Sequence, residues 1–372
     1  MRIVYLIRAL AIHGGIERVV VDKMNFLAEQ GHEVTLVTYE QGSHPCVFHL
    51  NSNIRMVELD CRFFTLYRYR LPIRLFKMRM MKRHFKERFH QLMKTLQPDT
   101  IVVISNSVDF IWQVLETPYG KKLLEAHEPY PAFMTSNHIL DAYKMWSLRR
   151  AVRQLDAVLT LTNKDKPYWG KEVGKVLVVP NPVPFYCEQV DVFERKPGRI
   201  LCVARLAQEK RIDRLIDAFA LIANRYPSWY IDIYGDGVKF ETLKKQISGL
   251  GLEGQIHFSP PTKQIKEEYQ SSQFSVLCSD FEGFGLVIVE SMACGTPVVS
   301  TDCAFGPSDI IKDGVDGLLC RLNVEDLAEK MEWMITHEKE RRDMGIRAHQ
   351  SVARYRRENI MKEWEKAYLS VI

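Results

Sequence analysis

Two carboxylates, Glu282 and Glu290, stand eight residues apart in the run Phe281-Glu282-Gly283-Phe284-Gly285-Leu286-Val287-Ile288-Val289-Glu290. The first falls on a turn made by Gly283 and Gly285, and the second within the helix that the apolar run predicts. A short apolar strand over 274–277 leads into the turn, and another over 297–300 follows the helix. Glycines between strand and helix let backbone amides approach a ligand closely, and a helix N-terminus adds partial positive charge suited to phosphate. One acid can then reach a polar group at the turn while the other reaches one beside the helix. A nucleotide-sugar fits that layout, with hydroxyls at one end, a diphosphate in the middle and a ribose beyond.

Cations that could offset a departing diphosphate stand upstream. In Ile200-Leu201-Cys202-Val203-Ala204-Arg205-Leu206-Ala207-Gln208-Glu209-Lys210, Arg205 follows an apolar strand and Lys210 stands where the next helix is expected to start. An isolated Arg/Lys pair is usually two solvated surface charges; its place in a strand-loop-helix unit favours the functional reading. His127 follows another apolar strand and precedes Pro129, at the strand end where open α/β sheets hold ligands. A single histidine is more often structural. Near the N-terminus, Gly14 and Gly15 follow a strand over 3–7 and open a helix, so a phosphate-facing turn and a plain tight turn both fit. No Asp-x-Asp pair occurs, and no His/Cys/Asp group has metal-ligand spacing. No cofactor and no metal are therefore expected.

These groups need a scaffold, and the chain alternates short apolar strands with helix-period segments from end to end. Strands are predicted at 3–7, 34–39, 100–104, 122–126, 157–161 and 176–179, then again at 199–204, 230–234, 255–258, 274–277, 297–300 and 317–320. That alternation implies parallel sheets wrapped by helices, here as two successive doubly wound α/β domains. Proline-rich 180–184 closes the first, residues 1–184; polar 185–198 reads as a linker; 199–355 forms the second. Residues 356–372 read as a last amphipathic helix with Ile360, Trp364, Ala367 and Tyr368 on one face, which could cross back to the first domain. The 372 residues suffice for two cores. Eight scattered cysteines without a C-x-x-C pair suit a reducing compartment. No apolar run approaches a membrane span, and Met1-Arg2 leads straight into a strand with no signal-peptide layout, so a cytoplasmic location is expected.

Taken in order, these motifs resemble the retaining glycosyltransferases of family 4, which have the GT-B fold of two Rossmann-like domains around a central cleft. The resemblance covers most of the chain and is densest over 200–319. It rests on the E-x7-E motif (Glu282, Glu290), the Ala293-Cys294-Gly295-Thr296-Pro297-Val298-Val299 run, Arg205-Leu206 with Lys210, Tyr234-Gly235-Asp236-Gly237, Gly306-Pro307-Ser308-Asp309 and Asp313-Gly314-Val315-Asp316-Gly317. His13-Gly14-Gly15-Ile16-Glu17 and Ala126-His127-Glu128-Pro129 resemble the family's glycine turn and active-site histidine. The resemblance implies that Glu282 binds donor-sugar hydroxyls and that Glu290 binds the ribose. It puts the amides of Phe284, Gly285 and Leu286 on sugar and phosphate, and Arg205 and Lys210 on the leaving phosphate. His127 would lie beside the sugar and Gly15 beside the phosphates and acceptor. Pro260 stands where the family commonly has glycine, and Asp309 where it has glutamate.

A final signal lies outside those motifs. Residues 62–88 carry ten Arg or Lys against one acid, Glu87, so the remainder of a chain of net charge +5 is net acidic. Leu71, Leu75, Met78, Phe85, Phe89 and Leu92 make a helical stripe that suits core packing. The cations, Arg74, Arg79 and Lys82 among them, and the aromatics Phe63, Phe64, Tyr67 and Tyr69 exceed what solvation needs and suit an anionic membrane surface. Nucleic acid is the rival partner, disfavoured because no nucleic-acid-binding fold accompanies the patch. The sequence thus predicts a retaining, metal-independent transferase at the inner membrane face. Its donor would be a UDP-hexose or UDP-N-acetylhexosamine and its acceptor a glycan or lipid-linked saccharide. A nucleotide-sugar epimerase of GT-B fold and a non-catalytic sugar-nucleotide-binding protein are the alternatives.

Overall fold

The computed structural model describes residues 1–11, 14–131 and 139–372, with side chains except at Asn106 and 139–144. The chain divides into two units, Met1–Val179 with Met361–Ile372, and Pro180–Ile360.

The first unit holds β1 (Arg2–Leu6), β2 (Glu33–Thr38), β3 (Arg55–Glu58), β4 (Thr100–Ile104), β5 (Lys121–Ala126), β6 (Ala157–Thr160) and β7 (Val176–Val178), in the order β3-β2-β1-β4-β5-β6-β7. Every pairing is parallel, with Val4 opposite Thr35 on one side and Ile101 on the other. Helices cover both faces, so β1 and β4 are near-continuous apolar runs rather than alternating ones. Val4, Leu6, Ile101, Val103 and Leu124 meet Phe85, Phe89 and Met93 of the helix Leu71–Leu96 in one core. Edge strand β3, Arg-Met-Val-Glu, has no apolar run to announce it and was not among the expected strands.

The second unit holds β8 (Arg199–Val203), β9 (Tyr230–Tyr234), β10 (Ile256–Ser259), β11 (Phe274–Leu277), β12 (Val298–Thr301) and β13 (Leu318–Cys320), also all parallel, in the order β10-β9-β8-β11-β12-β13. Ile200, Cys202, Ile231, Ile233, Phe274 and Val276 pack against Leu215 and Phe219 of the helix Ile212–Ala220. In both units the strand order reverses beside the first strand, between β1 and β4 and between β8 and β11. Open α/β sheets bind ligands at such reversals, outside the carboxyl ends of the strands.

Three expectations change here. The stretch 185–198 is a packed part of the second unit and not a loose linker. Cys187 and Val192 are buried, and Arg195 donates to Thr296 Oγ1 at 2.6 Å and to the carbonyl of Gly295 at 2.8 Å. The stripe on Leu71–Leu96 packs only in its C-terminal half: Leu71 and Leu75 are exposed, because the core ends beneath them. Phe63, expected on the surface, lies against Tyr39 and Phe110. The apolar face of the last helix, Arg357–Leu369, is buried, and its residues from Met361 onward belong to the first unit.

Candidate active site

In the second unit, the loops after β8 and β11 bring the motif residues together. Cys278-Ser279-Asp280 follows β11 and is tied down from behind. Arg214 donates to the Cys278 carbonyl at 2.9 Å and to Asp280 at 2.5 Å, and Thr301 Oγ1 donates to the Ser279 carbonyl at 2.7 Å. On that support Glu282 is buried and accepts from Ser279 Oγ at 2.7 Å. Lys210 Nζ donates to the same carboxylate oxygen, also at 2.7 Å.

Lys210 does not open a helix as expected. It ends the short turn Gln208–Lys210, and Arg211, at φ 49°, redirects the chain before the helix starts at Ile212. The amide of Asp280 donates to the Glu209 carbonyl at 2.9 Å and so locks the two loops to each other. Arg205 is 74% exposed and pairs with Glu209 at 2.9 Å; the structure does not bring it onto Glu282.

Gly285 precedes the helix Leu286–Ala293 with φ +94°, a left-handed conformation that glycine adopts without strain. No side chain caps this helix; the Ile288 amide donates to the Gly285 carbonyl at 2.9 Å, and a helix start without a side-chain cap is suited to an anion. Phe284 is buried edge-on against Tyr355, with centroids 5.5 Å apart, which fixes the turn from below. Glu290, in the second turn of the helix, accepts from the Tyr269 hydroxyl at 3.3 Å. The sequence reading missed Ser279, Arg214 and Asp280; their signal was the polar pair Ser279-Asp280 directly after an apolar strand.

In the first unit, His127 follows β5 and joins a buried polar network that the sequence reading did not anticipate. His127 Nε2 lies 3.1 Å from Glu125 Oε2, and Lys23 Nζ pairs with that same oxygen. The Tyr368 hydroxyl donates to Glu125 Oε1 and accepts from the Tyr5 hydroxyl at 2.7 Å. Lys23 Nζ also lies over the Trp364 ring, 3.5 Å from its centroid. Burial raises the Glu125 carboxyl, but Lys23 and His127 outweigh it and hold the group below the usual carboxylate range. Burial, reinforced by Lys23, pushes the His127 imidazole down. With Nε2–H donated to the carboxylate, a neutral His127 presents Nδ1 as an acceptor, and Nδ1 is buried without a partner. The signal was a lone acid in the buried strand Lys121–Ala126 and a lone Lys in the apolar face of Gly15–Glu29.

Gly15 starts the helix Gly15–Glu29, as expected; His13 of the same turn lies outside the described residues. Glu17 folds back over the turn, and a Cβ at Gly14 would lie 1.9 Å from its carboxylate. Arg74, Arg79 and Lys82 are exposed along Leu71–Leu96. Among the described residues no group of three or more His, Cys, Asp or Glu is arranged to hold a metal ion, and no helix is long and apolar enough to cross a membrane.

Two family models tile the chain: Glycosyltransferase Family 4 over residues 13–185 and Glycosyl transferases group 1 over residues 188–351. A Haemophilus influenzae protein described as an uncharacterized glycosyltransferase is 27% identical over 98% of this chain and 99% of its own length. The Campylobacter jejuni alpha-1,4-N-acetyl-D-galactosaminyltransferase acting on GalNAc-alpha-(1->4)-GalNAc-alpha-(1->3)-diNAcBac-PP-undecaprenol is 27% identical over 100% of this chain and 99% of its own. Among solved structures, TarM of S. aureus, in complex with fondaparinux, alpha-GlcNAc-glycerol and UDP, superposes with a TM-score of 0.78 at 14% identity, covering 99% of this chain and 100% of that one. Sucrose-phosphate synthase of Thermosynechococcus elongatus superposes with a TM-score of 0.81 at 19% identity, covering 100% and 99%. These matches are to sugar transferases, and they set aside the epimerase and non-catalytic readings.

Proposed function

We propose that this chain, which belongs to the family 4 glycosyltransferases of the GT-B fold, moves a hexose or N-acetylhexosamine from a UDP-linked donor to a glycan or lipid-linked saccharide, with retention of configuration and without a metal ion. The observation that carries the reading is the Lys210–Glu282 pair at 2.7 Å on the loops after β8 and β11, in the unit that also holds the uncapped start of Leu286–Ala293. Glu282 binds hydroxyls of the donor sugar, the amides of Phe284, Gly285 and Leu286 hold sugar and phosphate, and Glu290 binds the ribose. Lys210, with the exposed Arg205, stabilises the charge that grows on the leaving diphosphate.

In the transfer, the bond from the anomeric carbon to the phosphate oxygen breaks. A bond to the acceptor oxygen forms on the same face, and the acceptor's proton passes to the leaving phosphate. His127 lies beside the sugar as a neutral acceptor and Gly15 beside the phosphates. Relatives named for lipid-linked and surface saccharides support the acceptor class, and the cations over 62–88 support a peripheral seat on an anionic inner membrane face.

The test is thermal stabilisation and donor hydrolysis across a panel of nucleotide-sugars, since preferential binding to the native state raises the melting temperature. A UDP-sugar should stabilise the protein and be hydrolysed slowly, and Glu282→Ala and Lys210→Ala proteins that remain folded should lose the hydrolysis. Silence across the panel overturns the reading. A chelator should leave the rate unchanged; loss restored by a divalent cation overturns metal independence. Product of inverted configuration, read by proton NMR, overturns retention.

A further inference from the structure

Lys210 reaches Glu282 from a backbone that bends sharply just behind it. Arg211 has φ 49° and ψ 42°, the left-handed region, and among the described residues of the second unit no other non-glycine residue has a positive φ. A residue with a Cβ stays in that region only where its surroundings hold it, and such residues gather at functional sites. The carbonyl of Arg211 accepts from the amides of Arg214 at 3.0 Å and Leu215 at 3.4 Å, which starts the helix Ile212–Ala220 on the bend. Its guanidinium is held at both ends. Nη2 donates to Asp213 at 3.0 Å, and Nη1 donates to the two oxygens of Asp280 at 3.2 and 3.3 Å.

Those two acids belong to different segments. Asp213 is in the first turn of the helix, and Asp280 is in the loop after β11, just ahead of Glu282. Arg211 therefore joins the segment that carries Lys210 to the segment that carries its partner. The Cys278 thiol donates to the Lys210 carbonyl at 3.2 Å, so the same loop also grips the peptide just before the bend. Arg211, Arg214, Asp213 and Asp280 are neutral as a set and bring no net charge to the site. What the guanidinium supplies is placement, because its planar fork fixes a direction to each carboxylate that an ammonium on a flexible stem would not.

Resting on the role proposed for Lys210 at the leaving diphosphate, we propose that Arg211 is a positioning residue for the transfer. It holds the left-handed bend and fastens it to Asp280, and so keeps the Lys210 ammonium where negative charge grows on the donor. Stabilisation by that ammonium increases as the phosphate leaves, so misplacing it lowers kcat more than it weakens binding of the intact donor. Arg211 acts only through Lys210. A mere staple of the fold would behave otherwise: its loss would lower Tm and leave the kcat of the folded enzyme unchanged.

The test uses the full chain and separates the bend from the fork. Arg211→Gly keeps the left-handed bend free of strain and removes the guanidinium. Arg211→Lys keeps the charge without the fork and supplies the same readings where the glycine variant fails to fold. In either, kcat for hydrolysis of a UDP-sugar should fall by about tenfold or more while KM moves by less than about twofold. In a Lys210→Ala background, Arg211→Gly should cost nothing further. Acetylation of Lys210 by acetic anhydride, read by peptide mass spectrometry with no donor present, should quicken by about threefold in Arg211→Gly, because the ammonium spends longer away from Glu282. Arg225→Gln, which breaks an exposed pair with Glu332 in the same unit, should change neither reading. Wild-type kcat in folded Arg211→Gly, an added loss in the Lys210→Ala background, or an unchanged acetylation rate overturns the inference. If wild type hydrolyses a UDP-sugar and Arg211→Gly matches it, this inference alone falls. If wild type turns over no donor, the proposed function falls, and the acetylation rate alone decides whether Arg211 holds Lys210 in place.

Discussion

Lys210 and Glu282 are 72 residues apart in sequence, yet the ammonium and carboxylate meet at 2.7 Å, with Ser279 donating to the same oxygen. The pair is neutral as a unit, and it sits on loops locked together by the Asp280 amide and Glu209 carbonyl. Each partner therefore keeps the other in place before any donor arrives. On the proposed function, an arriving diphosphate would compete with Glu282 for the ammonium, and donor-sugar hydroxyls would compete with Lys210 for the carboxylate.

The first prediction follows from that exchange. Lys210→Ala removes the cation and leaves an acid facing an anionic donor, so kcat for donor hydrolysis should fall by about 10²–10³-fold. Glu282→Gln keeps a polar partner and should cost less than Glu282→Ala. Because the two side chains touch, the Lys210→Ala/Glu282→Ala double variant should lose less than the product of the single losses. Strict multiplicativity in steady-state kinetics would show that the pair does not act as a unit.

Two glycines near the turn should respond unequally to alanine. A Cβ at Gly306 would lie 2.4 Å from the Phe284 carbonyl oxygen, in a backbone at φ +97°. A Cβ at Gly285, at φ +94°, would meet side-chain atoms and no backbone, the Ile288 Cδ1 methyl at 3.0 Å and Ile310 Cδ1 at 3.9 Å. Gly306→Ala must displace the Phe284 carbonyl and with it the peptide that carries the Gly285 amide, and should cost about 1–3 kcal/mol and weaken donor binding. Gly285→Ala should cost about 1 kcal/mol, the left-handed penalty alone. Urea unfolding and titration with a UDP-sugar measure both; equal effects would mean that the close approach at Gly306 does not matter.

Acid should loosen the first unit in a defined window. An unfolded His127 takes a proton near 6.5, and the folded one, buried beside Lys23, takes it lower. Between those values the unfolded chain holds a proton that the folded chain lacks, so stability falls as pH drops below about 6.5, by up to about 1.4 kcal/mol per pH unit. Glu125 adds the same sign further down, because its folded value lies below 4.5, and the stability that it contributes above 4.5 is lost as pH falls towards the folded value. Hydrogen exchange at β5 amides from pH 7 to pH 4 checks this. His127→Gln should remove the upper part of the dependence only, and protection that stays flat through pH 5 would contradict the account.

The strands, both sheet repeats and the glycine turn before Leu286–Ala293 were legible in sequence because buried parallel strands are continuous apolar runs and because glycine turns have few sequence solutions. Edge strand β3 was not, since half-exposed Arg55 to Glu58 carry no such run. Nor was the Glu125 network. Lys23, Glu125 and Tyr368 come from three distant segments, and nothing in one sequence pairs them before the sheet is assembled. Leu71–Leu96 misled in a different way: one stripe runs its full length, but packing follows it only as far as the core reaches, and the outer stripe Ile73-Phe76-Met80 is visible only once exposure is known.

The last prediction concerns Tyr368, which the final helix delivers to Glu125. Its hydroxyl donates to Oε1 while Lys23 and His127 share Oε2, so each donor removed leaves the carboxylate more available to the others. Tyr368→Phe should destabilise the first unit by about 1–3 kcal/mol, because it strips a donor from a buried charge and leaves the Tyr5 hydroxyl without its acceptor. It should also do something that lost packing would not. Glu125, less satisfied on one side, should bind the imidazolium of His127 more strongly and move the imidazole back up towards 6.5. If neutral His127 is the form that accepts a donor hydroxyl, the acid limb of the kcat/KM profile should move to higher pH in Tyr368→Phe. Lys23→Met should cost more, about 3–5 kcal/mol, because it leaves a buried carboxylate without its cation. A Tyr368→Phe enzyme with a lowered Tm and an unmoved pH profile would reduce Tyr368 to a packing residue and detach the final helix from the chemistry at His127.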